Sequence, residues 1–486
     1  MQSRVITGGR LVSECPVRPS EKEFDYSEGL SSQNGLLTQF QQGFNGVFLP
    51  IGLILALFIW ESFRFINLGV FISPTLVLVC VLAFIPTIPL RRTSLAQALQ
   101  IYAWFLFVSA LVAYLDYENM VARGLWFSDR SQDDPGKYIE LAQTASIFAQ
   151  INDPGFVALL RYFSKLLMQF GEFNFIGELN CVMVISSLFA VCCVEIAHYV
   201  NRNSVLLPCA FLFNPLVVSL NASLMRDIMV GAIGWMVVIF GVRLLISRAQ
   251  ILAWSVFCFV GCCLIVYLFR SVSAVFFMLT TLLMVVGEGS KVNKSTFVLI
   301  SLGLFLLFFA TGRDMLTRSM DHVDQIGFVM DEAQKVGSIA SRYSQSVYGR
   351  TIIAIGATIV YGMPFWRITS PFLIGEALLN FGSLFSQLVT AFPLLVGLIS
   401  IVRRPTRFGW GLLLIYFGWC AVAAVMGQYH IRYITSHLLP VISAIGVMGG
   451  DVLNTPSYSR KYLHYGLLLL GFLVVQVLIE IQKLGR

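Results

Sequence analysis

The ionisable side chains of this chain are scarce and gather in a few short stretches. One reads Ser128-Asp129-Arg130-Ser131-Gln132-Asp133-Asp134-Pro135 and leads to Tyr138. A carboxylate held beside an apolar surface is a stronger base than one in water. Asp129, Asp133 and Asp134 are therefore candidates for a general base or for ligands of a divalent metal ion. A plainer role is also open, because a helix starting after Pro135 would use Asp133 or Asp134 as its N-cap. A second stretch runs from Asn214-Pro215 to Arg226-Asp227. Arg226 could bind phosphate through its guanidinium fork, or snorkel to the interface and pair with Asp227. Arg270, in Tyr267-Leu268-Phe269-Arg270-Ser271, is the third. Two arginines at one membrane depth would converge on a single pyrophosphate. Arg342 and Arg350 lie in a long polar segment, and Arg432-Tyr433 opens a late apolar run that contains Pro440. His430 and His437 lack metal-ligand spacing, which leaves them a structural role.

The elements that must position these residues follow from composition. Hydrophobic types make up 57% of the 486 residues and charged types 12%, with a mean hydropathy of +0.78. Ordinary globular chains carry about 25% charged residues, so this chain cannot cover a soluble surface of its size. Apolar runs of about 20 residues recur along it, each long enough to cross a bilayer. Backbone groups in lipid must be bonded within the segment, so the spans are helices. The expectation is an all-α, polytopic transmembrane bundle. Its spans fall near 46–66, 69–89, 96–115, 181–200, 205–221, 228–247, 251–269, 272–287, 295–311, 376–402, 409–426, 434–450 and 463–481. Residues 1–43 read as a polar, disordered cytoplasmic tail ahead of a bundle over 44–486.

Charge sets the orientation. Arg91-Arg92, Arg202, Arg243 with Arg248, Lys291 with Lys294, Arg403 with Arg404 and Arg407, and Arg460-Lys461 follow alternate spans. All six groups then share one side, which the positive-inside rule makes cytoplasmic. The net charge of +7 is explained by these loops and does not imply nucleic acid. The other face receives loops near 116–180 and 312–375 and the short turns around 222–227, 269–271 and 427–433. Every candidate residue named above falls on that outer face. Cys192-Cys193 and Cys262-Cys263 are adjacent pairs rather than metal or redox spacings, and read as packing residues. Phosphate-loop, nucleophile-elbow and His-Glu-x-x-His signatures are absent from the sequence.

Three of these stretches together resemble the GT-C superfamily of polytopic glycosyltransferases and the bacterial O-antigen and exopolysaccharide polymerases. The acidic stretch Asp129 to Asp134 looks like the loop that carries the GT-C catalytic Asp. Asn214-Pro215 through Arg226-Asp227 looks like an Asn-Pro-to-acid pattern of the family, and Arg432-Tyr433 ahead of Pro440 like the opening of a late family span. The acidic loop here follows the third span rather than the first, unless 46–89 is an added hairpin. The resemblance implies a polyprenyl-phosphate-linked sugar or oligosaccharide donor, a glycan acceptor and an active site outside a bacterial inner membrane. Asp133 or Asp134 would take the acceptor proton. Arg226, Asp227, Arg270, Arg342, Arg350, Arg432 and Tyr433 would hold phosphate or sugar. Membrane lipid and other glycan-assembly membrane proteins are the partners it implies. A transporter or flippase for a lipid-linked glycan is the alternative, with Glu195 and Glu376 as the mid-span charges to watch.

Overall fold

A computed structural model describes residues 26–122, 154–224, 226–246, 253–288, 297–298, 300–304, 355, 374–425 and 431–453. Among the described residues every regular element is a helix. Among the described residues five stretches are long and apolar enough to cross a membrane: Gly46–Phe65, Gly69–Thr87, Leu95–Leu115, Phe175–His198 and Arg226–Ile246. The chain is accordingly a helical membrane protein.

The helices run in order α1 (Tyr26–Phe65), α2 (Gly69–Phe84), α3 (Leu95–Ala122), α4 (Pro154–Met168), α5 (Phe175–Ser186), α6 (Leu188–His198) and α7 (Leu206–Leu212). They continue as α8 (Pro215–Asn221), α9 (Arg226–Ile246), α10 (Ala253–Phe269), α11 (Ser271–Glu288), α12 (Ile374–Arg403), α13 (Arg407–Val425) and α14 (Ile431–Leu453). The chain divides between Asn45 and Gly46 into two units. In the first, the helix that becomes α1 begins at Tyr26, inside the polar stretch expected to be loose.

Local signals start several helices. Ser94 and Gln97 form a reciprocal capping box before α3, with Gln97 N donating to Ser94 Oγ and Ser94 N to Gln97 Oε1. Asn174 caps α5 by accepting from the Ile176 and Gly177 amides. The turn after α1 is strained: Ile66 sits at φ 51°, where a β-branched residue crowds its own carbonyl. Ser62 holds that turn from inside, its Oγ donating to Asn67 O at 2.9 Å.

The 175–198 span and α9 form the centre. Both have 94% of their apolar window buried, against 22% for 46–65. α9 packs on α5, α6, α10, α11 and α14, while α12 packs on α14 and α13 on α11. Two expected spans are broken. The span read at 181–200 is α5 and α6, divided at Ser187, and that read at 205–221 is α7 and α8, divided at Phe213–Asn214 just before Pro215. Proline cannot donate to the preceding turn, which explains the second break. The loop read at 116–180 contains α4, an amphipathic helix. Its Phe156, Val157, Leu160, Phe163 and Leu167 are buried, while Tyr162 and Met168 are exposed.

Among the described residues, Arg91, Arg92, Arg202 and Arg407 meet at one end. The amides of Arg91, Arg92 and Thr93 all donate to the Glu195 carboxylate, at 2.8 to 3.1 Å for the closest oxygen of each. Arg202 Nη2 donates to Arg91 O, and the Arg92 guanidinium lies over the Tyr199 ring. Tyr199 stacks on Phe408 beside Arg407, and Asn201 donates to Asp451. α11 brings its Gly287 end to Arg407 and Phe408. The start of α11 therefore lies at the other end of the bundle, about 25 Å away at 1.5 Å per residue.

Candidate functional site

At that other end, α9 begins with Arg226 and Asp227, α10 ends, and Arg270 links α10 to α11. Asp227 is buried in the first turn of α9, where a carboxylate is favoured by the helix dipole. Arg270 Nη1 donates to Asp227 Oδ1 at 2.9 Å, with side-chain exposures of 12% and 5%. Asp227 thus has an interhelical partner that its sequence neighbourhood did not point to. Arg226 is half-buried beside them on the same turn.

One turn further in, α11 and α14 are joined through a histidine. His437 Nε2 lies 2.8 Å from Ser273 Oγ, and its Nδ1 lies 2.8 Å from Ser436 Oγ. The ring stacks nearly parallel to Phe277 and meets Phe276 and Trp419. Two hydroxyls and three aromatic rings fix its orientation, consistent with the structural role expected of it. Gly231 of α9 lets α14 approach: a Cβ there would come within 2.6 Å of Ser436 O. Arg432 and Tyr433 lie in the first turn of α14, one turn before Ser436 and His437. Arg270 lies one turn before Ser273. The helix starts carrying Arg226, Asp227, Arg270, Arg432 and Tyr433 therefore occupy one level of one end. Asp129, Asp133, Asp134, Arg342 and Arg350 lie outside the described residues. Among the described residues no group of three His, Cys, Asp or Glu side chains could hold a metal ion.

α4 closes against the same end, with Phe156 edge-on to Phe269 at 5.8 Å between centroids. Asn67, in the α1–α2 turn, donates to Glu172 O at 2.7 Å, which ties the first hairpin to the segment after α4. Just inside this end lie two buried carboxyls. Glu61 of α1 accepts from Asn180 Nδ2 at 2.6 Å, and Glu178 of α5 accepts from Ser164 of α4 at 3.0 Å. The signal for both was a lone acid inside an apolar run. Glu195, by contrast, anchors the 91–93 turn at the basic end. The side chain of Asn221, whose sequence matches a glycosylation acceptor, is buried: it meets Ser186, Ser109 and Ser187 between α8, α3 and the α5–α6 break. Cys192, Cys193 and Cys262 are buried free thiols. Comparison with protein families, with curated proteins and with solved structures finds no match for this chain.

Proposed function

We propose that the chain is a membrane glycosyltransferase or polysaccharide polymerase, GT-C-like, taking a polyprenyl-phosphate-linked sugar or oligosaccharide at the outer face. The observation that carries the reading is the grouping of Arg226, Asp227 and Arg270 with the first turn of α14, at the end away from the basic loops. Positive-inside orientation makes that end the extracytoplasmic one, where lipid-linked rather than nucleotide-linked sugars are presented. Negative charge grows on the departing lipid phosphate during transfer, and preorganised guanidinium groups stabilise it. Asp227 fixes the Arg270 fork, and Arg226 supplies a second cation beside it. Asp133 or Asp134 takes the proton of the acceptor hydroxyl in the transferase form of the reaction, with Asp129 in the same stretch as a further candidate. Arg342, Arg350, Arg432 and Tyr433 hold the glycan or the second phosphate.

A second reading, a transporter or flippase of a lipid-linked glycan, draws on Glu61 and Glu178, which are ionisable residues buried within spans. The glycan profile of a deletion strain separates the readings. Long chains lost, with one repeat unit accumulating on lipid at the outer leaflet, mark a polymerase, and a truncated unit marks a transferase. A complete unit trapped at the inner leaflet marks transport. Normal glycan in strains carrying Arg226→Ala and Arg270→Ala, at normal protein level, removes the first reading.

A further inference from the structure

Glu61 and Asn180 are both fully buried, at 0% and 1% exposure. Asn180 Nδ2 donates to Glu61 Oε2 at 2.6 Å. The other oxygen of each group, Glu61 Oε1 and Asn180 Oδ1, is buried with no hydrogen-bond partner. Two orphan acceptors on one bonded pair of side chains are costly, because each loses its hydration without replacement. An ionised Glu61 would leave both orphans in place and add an uncompensated charge inside a span. Charged groups on the surrounding helices are engaged elsewhere or lie toward the surface. Arg64, one turn along α1, bonds Glu118 of α3 at the surface. Glu178 of α5 is acidic and is bonded by Ser164. Arg161 and Lys165 lie on the partly or fully exposed side of α4, α2 carries no charged residue, and α3 carries Tyr102, Tyr114, Asp116 and Tyr117 besides Glu118.

We propose that Glu61 and Asn180 form a proton-binding pair, in which Glu61 carries its acid proton on Oε1 and donates it to Asn180 Oδ1. Asn180 Nδ2 donates back to Glu61 Oε2. The two side chains then close a ring of two hydrogen bonds and leave no orphan acceptor. The ring ties α1, the least buried of the long spans, to α5 in the centre of the bundle. Loss of the proton opens it on the Oε1 side and strands a carboxylate there. The occupant is a proton rather than a metal cation, because only two oxygens stand ready and one proton satisfies both. The pair is thus a latch on the first helix, held shut by a proton.

The test uses the full chain in lipid nanodiscs, with Glu61→Gln, Glu61→Ala and Asn180→Leu. Glutamine copies the neutral acid, since its carbonyl accepts from Asn180 and its NH2 donates to Oδ1. Glu61→Gln is expected to match the wild-type Tm at acidic pH and to equal or exceed it at neutral pH, whereas Glu61→Ala and Asn180→Leu lower it by several degrees. As pH rises the wild-type Tm falls more steeply than that of Glu61→Gln, because an acid that holds its proton only when folded contributes stability that is lost on ionisation. Independently of stability, the infrared difference between wild type and Glu61→Gln at neutral pH shows a protonated carboxyl carbonyl band. The proposal is overturned if that band is missing or if Glu61→Gln is as unstable as Glu61→Ala. It is equally overturned if replacing choline by sodium, rather than changing pH, sets the Tm.

Discussion

Breaking the Asp227–Arg270 pair should cost more singly than doubly. The two groups meet at 2.9 Å with 5% and 12% of their side chains exposed, so removing either strands a largely buried charge. That loss is about 3–5 kcal/mol for buried pairs, and the slight exposure of Arg270 puts Arg270→Ala and Asp227→Asn near the lower figure, about 3 kcal/mol each. Independent changes would sum to about 6 kcal/mol. The double variant strands no charge and forfeits mainly the charge-assisted bond, worth about 1.5–3 kcal/mol. A coupling of roughly 3–4.5 kcal/mol follows, about 100-fold or more in the unfolding constant. Both residues make further interactions, which is why the cycle, and not one substitution, isolates the pair. The measurement is reversible unfolding in mixed micelles at two ionic strengths, and the coupling should change little with salt because the pair is buried. Additivity within about 0.5 kcal/mol would refute the reasoning, and with it the meeting of α9 and α11 that defines the candidate site.

Two further outcomes test the packing. A methyl added at Gly449 of α14 would run into Pro393 O of α12, so Gly449→Ala should destabilise by about 1–3 kcal/mol and Gly449→Leu should abolish folded protein on size exclusion; a tolerated leucine contradicts the α12–α14 contact. Ile66 is 95% exposed at φ 51°, so Ile66→Gly relieves about 1–2 kcal/mol of left-handed strain against about 0.5–1 kcal/mol of added chain entropy; thermal unfolding should show a neutral or raised Tm, and a clear drop contradicts the turn geometry.

Helix positions were legible where apolar runs are long and end in charge. The 228–247 run appears as α9, Arg226–Ile246, and the 272–287 run as α11, Ser271–Glu288. Of the six basic groups, the members Arg91, Arg92, Arg202 and Arg407 lie at one end. What was hidden is tertiary. Hydropathy windows cannot see the break at Ser187, since no proline or glycine marks it. They also miss α4, whose apolar residues recur as Phe156, Leu160, Phe163 and Leu167, a helical stripe too amphipathic to register as a span. A partner of Asp227, Arg270, lies 43 residues away, where adjacency in the chain could not point. Glu61 was passed over in favour of Glu195 and Glu376, and gained meaning only when Asn180, 119 residues on, met it.

The carboxylate that gathers three consecutive amides at residues 91–93 has an evolutionary consequence. Glu195 grips main chain, so the fastening does not depend on which side chains occupy those three positions. The side chains there take no part in that grip, and the Arg92 guanidinium lies over Tyr199 instead. Side chain and fastening can then drift separately: Arg91 and Arg92 can exchange for lysine without loosening the turn, while Glu195 has no such latitude.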